Sequence, residues 1–355
     1  VVVAAGSKLY YGSGNAIQLY GNEWVDCGTG TGLILNGAKT IEFWLNIGEN
    51  LFSSYNTSMS TTVGILGRIH TGELYGWSIY NYYAFANSLT FYQSINSLIT
   101  TPNNTFTATN TWYHVALSIP APSSTASLYV NGVLNTTGSI TSNSTASPLN
   151  FYIGKVDDSI LPALSSFRGQ LADVRLYSAA LTSAQIYANY TATESPLTGA
   201  SLVGWWKCNE GGGTQTLTDS SSSGYHGTAT GTSTGTGANA NRLIWTPRYW
   251  TEDTQKLKLS IKHSLAGRTK TLDAWIANQR NNRESTYTLY KPVRVIDTFT
   301  NKVSFLGKTD IVEPQSDQGH QVLKIHARNY MGELFDRKMN STYTGIALSA
   351  SYRSE

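Results

Sequence analysis

Along most of the chain, hydrophobic and polar residues alternate in short runs separated by turns rich in Gly, Ser, Thr and Asn. A period of two is the signature of a half-buried strand. It predicts strands at residues 7–26, 40–46, 63–70, 75–83, 89–93, 111–119 and 126–134, with another starting at Phe151. In 40–46, Ile41, Phe43 and Leu45 point one way and Glu42, Trp44 and Asn46 the other. In 167–176, Phe167 and Leu171 are out of step with Val174 and Leu176, a one-residue slip that a β-bulge explains. From Ser178 the period changes. Leu181, Ala184, Ile186 and Tyr187 approach helical spacing, with Thr182 placed to cap a short amphipathic helix. Strand signals every eight to twelve residues argue for an all-β sandwich.

After Thr228 the sequence becomes ATGTSTGTGANANR, too poor in apolar residues to pack a core, so it reads as a linker. A boundary there divides the chain into a domain at 1–235 and a smaller β-rich domain at 236–355. In the latter, alternation returns in KLKLSIKH at 256–263 and again at 289–296, 303–305, 310–313 and 322–327. The pattern predicts one short helix in this domain, at 272–279 or near Tyr330.

Composition sharpens this picture. Charged residues are sparse at 13% and aromatics abundant at 12%, as in a β protein with long polar loops. The net charge of +3 hides an asymmetry: residues 1–240 carry four more acids than bases and 241–355 seven more bases than acids. Two such surfaces suggest different partners. The N-terminal VVVAAG is not an intact signal peptide and has no initiator Met, which suggests a processed or partial product. No apolar run is long enough for a membrane-spanning helix. Cys27 and Cys208 are the only cysteines, and their positions are compatible either with a disulfide or with two buried thiols.

The six histidines are scattered without the spacing zinc needs, and no nucleophile elbow, P-loop or dinucleotide fingerprint occurs. His114 reads as a packed strand residue. Lys256, Lys258 and Lys262 alternate with apolar residues as one solvated strand face does, so the basic C-terminal region reads as a solvated face or an interface with an acidic neighbour in an assembly, and not as a nucleic-acid site. The positive candidate is a sugar site. Pyranose binding needs aromatic faces and amide or carboxylate groups on a rigid rim. The segment LYGWSIYNYYAFANSLTF supplies Trp77, Tyr80, Asn81, Tyr83 and Asn87, with the alternative that its aromatics only pack the sheet.

Four stretches carry a family resemblance. They are NAIQLYGNEWVDCGTGTGLILNGAKTIEFWL at 15–45, TWYHVALSI with ASLYVNGVL and its Asn-Gly turn at 111–134, FRGQLADVRLYSAALTSAQIYA at 167–188, and LVGWWKCNEGGGTQTLTDSSSSGYHGT at 202–228. Together they resemble laminin-G-like, concanavalin A-like jelly-roll domains. The resemblance implies a jelly-roll sandwich over 1–235 and, in many members, a rim calcium held by Asp, Asn and carbonyl oxygens. Asp157, Asp158 and Asn131 are its ligand candidates, and Asp26, Glu210 and Asp219 are further acids of the same kind. The alternative is that all are turn and cap residues. No other cofactor is implied. The fold also houses glucanases, but the Glu-x-Asp-x-Glu triplet of the laminarinase-like group is missing, and Asp157 and Asp158 are adjacent and would face opposite ways.

The second domain, through KPVRVID and FLGKTDIVEPQSDQGHQVLKIHARNYMGELFDR, resembles more loosely the barrel-like modules of phage tail hub and baseplate proteins. The joint expectation is a non-enzymatic virion structural protein, homo-oligomeric through 241–355, that displays a host-glycan-binding jelly roll on a virion surface or tail. The alternatives are a secreted or cell-surface carbohydrate-binding adhesin and a glycan-degrading enzyme.

Overall fold

The computed structural model describes residues 7–21, 23–47, 63–69, 76–81, 87–93, 98–108, 111–140, 149–156, 165–191, 201–210, 215–231, 244–253, 256–263, 270–277, 287, 292–297, 302–317 and 320–329. The chain forms two compact units, Asn15–Thr246 and a second that joins Val1–Gly14 to Pro247–Glu355. A single boundary at the linker would leave the whole N-terminus in the first domain. Instead, Leu9 pairs with Val295 and Tyr11 with Val293 in an antiparallel ladder, and Leu9 is buried among residues of the second unit. Those first residues are drawn to the late strand because both alternate with the same apolar face.

The larger unit is a sandwich of two sheets, as the alternation predicts. The first sheet runs, in spatial order, Val133–Ile140, Ser124–Val130, Trp112–Ile119, Lys39–Asn46 and Arg168–Tyr177. Along its far side, Arg168–Tyr177 pairs with residues 17–20 of the strand Lys8–Tyr20 and with Leu202–Trp206. The second sheet runs Thr216–Leu217, Gly227–Gly231, Glu23–Asp26, Tyr152–Ile153, Val63–Ile69, Gly76–Asn81, Thr90–Tyr92 and Leu98–Thr100. Inward-facing Val25, Phe43, Leu66, Trp77, Phe151, Leu171 and Trp206 belong to one core between the sheets. Cys27 and Cys208 sit in it as free, buried thiols, the second of the two alternatives left open by the sequence. Lys39 is also wholly buried. Its ammonium donates to Gln93 Oε1 at 2.9 Å, and burial lowers its pKa to about 8.

The slip in 167–176 is a bulge. Pairing with Lys39–Asn46 shifts register between Ala172 and Arg175, and Asp173 takes φ 53°. Beyond this strand, the helix Ser183–Thr191 is capped as expected. Gln185 N donates to Thr182 Oγ1 at 3.3 Å while Thr182 N donates to Gln185 Oε1 at 2.9 Å, a reciprocal capping box. The Asn131–Gly132 turn has φ 52° and 75°, the left-handed pair a two-residue hairpin needs.

The DSSSSGYHG segment is organised by Asp219, which is 4% exposed. Its carboxylate accepts from the amides of Trp205, Ser221 and Tyr225 and from Ser221 Oγ, all at 2.8–2.9 Å. Its own amide donates to His226 Nδ1 at 3.1 Å. The adjoining Gly227 is required by close approach: a Cβ there would lie 2.3 Å from Val25 Cγ1.

In the second unit the antiparallel order is residues 8–11 of the first strand, Pro292–Asp297, Lys302–Asp317, His320–Asn329, Lys270–Ala277 and Lys256–His263. Here the structure corrects the sequence reading. Residues 272–277 of the expected helix lie in the strand Lys270–Ala277, with Leu272, Ala274 and Ile276 in the core opposite Ala327, Ile325 and Leu323. Alternation with Asp273 and Trp275 overrides the helical spacing that the apolar content also allows. Residues around Tyr330 lie outside those described.

Removing the Asp219 carboxylate leaves several buried donors without an acceptor. Asp219→Ala is expected to cost about 3 kcal/mol, read as a lowered urea midpoint at unchanged m-value.

Candidate functional site

Each sheet of the larger unit has an outer face, and the two differ. That of the first sheet carries Glu42, Arg175 and Tyr177 and is closed by the helix Ser183–Thr191. There Ile186 joins Tyr177, Leu181, Leu202 and Trp205 in a small apolar cluster. Beneath it lies a network of buried charge. Arg175 donates through Nε to Asp173 Oδ1 at 2.9 Å and through Nη2 to Asp173 Oδ2. Trp205 Nε1 donates to Asp173 Oδ1 at 2.7 Å. Asn189 on the helix donates to Glu42 Oε2 at 2.8 Å and to the Tyr177 hydroxyl at 3.2 Å. Arg175 is thus neutralised by Asp173, and Glu42, with Arg175 Nη1 at 3.6 Å, is the surplus acid. Burial pushes its pKa up to about 7 against the opposing pull of Arg175. This face is closed to a large ligand by the helix.

The outer face of the second sheet has no described helix over it. In register across it stand Thr228, Asp26, Tyr152, Gly67, Ser78, Tyr92 and Leu98, each paired with the next. Val25, Ile153 and Phe91, next to Asp26, Tyr152 and Tyr92, fill the core, so Asp26, Tyr152 and Tyr92 face outward. Gly67 contributes no side chain between Tyr152 and the position of Ser78. Beside the row stands Trp24, half-buried and paired with Thr230. Lys155 Nζ lies 4.2 Å from the Trp24 ring centroid and 4.7 Å from that of Tyr152, a cation held between two aromatic faces. Asp26 accepts from Gly28 N and from Asn150 Nδ2, each at 2.9 Å. Aromatic faces, amide, carboxylate and ammonium groups are thereby brought onto one rigid surface, the mixture that a sugar's apolar and hydroxyl sides require.

The residues singled out from the sequence fall elsewhere. Trp77 is a correction: its ring is wholly buried, packs on Phe151 at 5.4 Å and donates to Leu33 O at 3.4 Å, because alternation turns Trp77 and Ile79 inward. The side chains of Tyr80 and Asn81, and the whole of Tyr83, lie outside those described. Asn87 sits at φ 49° in a loop, where its Nδ2 donates to Asn104 Oδ1 at 2.9 Å. Of the calcium candidates, Asp157 and Asp158 lie outside the described residues. Asn131 Oδ1 accepts the amide of His114 at 2.9 Å, which ties the turn to the neighbouring strand Trp112–Ile119. The further acids Asp26 and Asp219 are likewise engaged with nearby donors. Among the described residues, no three His, Cys, Asp or Glu side chains group as a metal site would need. His114 is buried between Trp44 and Tyr190, as its strand position suggests.

Comparison with known proteins agrees with this architecture. Residues 20–187 match the family described as the concanavalin A-like lectin/glucanases superfamily, Laminin_G_3. No curated protein matches the chain. Among solved structures, a Bacteroides ovatus protein of inferred carbohydrate binding aligns at 17% identity and TM-score 0.47, over 66% of this chain and 60% of that protein. A carbohydrate-binding module of a Ruminococcus gnavus sialidase, bound to α2,3-sialyllactose, aligns at 13% identity and TM-score 0.36, over 49% of this chain and 95% of its own. A pentraxin of Limulus polyphemus aligns at 15% identity and TM-score 0.33, over 55% and 86%. The match spans less than two thirds of the Bacteroides protein, and likenesses this distant carry no argument about ligand. None of these comparisons supports the phage-tail resemblance of the second domain.

The buried Glu42 has a measurable signature. Its folded pKa is raised above its unfolded value, so the native state holds the extra proton. That contribution is full below about pH 4.5 and is lost as pH rises to about 7. Stability is expected to fall by on the order of 3 kcal/mol across this window, and Glu42→Gln to flatten the decline. Denaturant titrations at several pH values check it.

Proposed function

We propose that this protein is a non-enzymatic, extracellular carbohydrate-binding adhesin whose sandwich unit holds glycan on the outer face of its second sheet. The observation that carries this reading is the in-register row from Asp26 through Tyr152 and Gly67 to Tyr92, flanked by Trp24 and Lys155. The family of residues 20–187 contains both lectins and glucanases. Binding is favoured over hydrolysis because Asp26, the acid on this row, already accepts two hydrogen bonds, and a glycosidase needs two carboxyl groups flanking one bond. The virion role suggested by the sequence gains no support from the comparisons, so the adhesin reading takes its place.

A glycan array probed with the full chain tests this. At least one oligosaccharide is expected to be retained, with affinity falling about tenfold or more, about 1.4 kcal/mol, in Trp24→Ala and in Tyr152→Ala at unchanged melting temperature. No reducing ends should be released. Absence of any retained glycan, or retention indifferent to both substitutions, would sink the proposal, and reducing-end release would replace it with the enzyme reading.

A further inference from the structure

The second unit has a polar sheet face of its own. Three rows in register cross it: Lys262, Thr271, Arg328 and Lys308; Ser260, Asp273, His326 and Ile311; and Trp275, Lys324 and Glu313. The opposite face, with Leu272, Ala274, Ile325 and Ala327, is core. A register shift between Thr309 and Ile311 sets Ile311, 47% exposed, directly opposite His326. Ile311, Glu313, Lys324 and His326 line a cleft of about 170 Å³ on this face.

The cations are held in distinct ways. His326 Nδ1 is 2.6 Å from Asp273 Oδ1, and Lys262 Nζ is 3.4 Å from Asp273 Oδ2. Burial alone would raise the Asp273 pKa, but the hydrogen bonds and charges of His326 and Lys262 outweigh it and hold the group below its ordinary value. An ionised Asp273 orients the imidazole through Nδ1 and leaves Nε2 for a second partner. Arg328 is engaged by Asp310, with Nη2 to Oδ1 at 2.9 Å. Lys324 Nζ lies 5.8 Å from the Trp275 ring centroid. An ammonium, Lys324, and an imidazole, His326, therefore line a cleft whose other walls are an exposed aliphatic side chain and a carboxylate.

We propose that this cleft binds an acidic sugar residue, with its carboxylate between Lys324 and His326, an apolar ring edge on Ile311 and a hydroxyl donating to Glu313. A bare phosphate or sulfate would satisfy Lys324 and His326 and leave Ile311 and Glu313 unused. A neutral sugar would leave the Lys324 ammonium unmatched. The excess of seven bases over acids in residues 241–355 favours anionic ligands at long range. The site is separate from the Trp24–Tyr152 face and stands or falls independently of it.

The test is calorimetric titration of the full chain with oligogalacturonate, with a neutral maltooligosaccharide and a single-stranded oligothymidylate as comparators. Because the Trp24–Tyr152 face could itself take up either oligosaccharide, the titrations are repeated in Trp24→Ala. Oligogalacturonate binding is expected to persist there and to weaken tenfold or more in Lys324→Gln and in His326→Gln. Addition of monomeric galacturonate should move the His326 ring resonances in NMR spectra. Binding indifferent to both substitutions at unchanged melting temperature overturns the proposal. So does equally tight neutral-oligomer binding that the two substitutions weaken. Equal affinity for oligothymidylate, lost with the same substitutions, would make the face a general polyanion surface and overturn the sugar assignment.

Discussion

The bulge at Asp173 is the constraint on which the sandwich depends. In an unbroken strand, the alternation that buries Leu171 would bury residue 173 and residue 175 as well, sending an aspartate and an arginine into the core and Val174 and Leu176 to the outer face. One extra residue, at φ 53°, reverses the phase. Val174 and Leu176 then face the core with Leu171, while Arg175 and Tyr177 share the outer face with Glu42. Everything above that face follows. The freed guanidinium needs Asp173, the pair accepts Trp205, and Glu42 is left to be satisfied by Asn189 from the helix.

The two outer faces of the sandwich are therefore chemically opposite. One is sealed by a helix over the buried Glu42, Asp173 and Arg175, with Asn189 tying the helix to Glu42. The other gathers its aromatic and polar groups on positions that alternate with a continuous apolar core. Rigidity under a binding face comes from that core, because side chains on paired strands are fixed by register and cannot shift singly.

Much of this fold is legible in the order of residues alone. The slip in 167–176, the Thr182 cap and the Asn131–Gly132 hairpin each have a local signature, since a bulge, a capping box and a left-handed turn are decided by adjacent residues. The burial of Trp77 is not legible, because the run around it places aromatics at both parities and alternation does not say which set is inward. Residues 272–277 are ambiguous for a different reason: LDAWIA fits a helical and an alternating face equally well, and only pairing with Val322–Ala327 decides. The Trp24, Tyr152 and Lys155 cluster is barely legible in the sequence. Trp24 is more than a hundred residues from the other two and meets them only because Val25 pairs with Ile153. A lone tryptophan next to Val25 is the one available hint.

The strand Lys8–Tyr20 serves both units, its first residues pairing with 293–296 and its last with 168–171. Such sharing bears on how the protein is made. On a ribosome the first segment leaves the tunnel almost three hundred residues before its partner strand exists, so the second unit is a late, long-range closure and not a module that folds when its own stretch of chain appears. Until then Leu9 has no core to enter. The order of synthesis thus lets the sandwich assemble around residues 15–246 first, while the smaller unit waits for the two distant parts of the chain to meet.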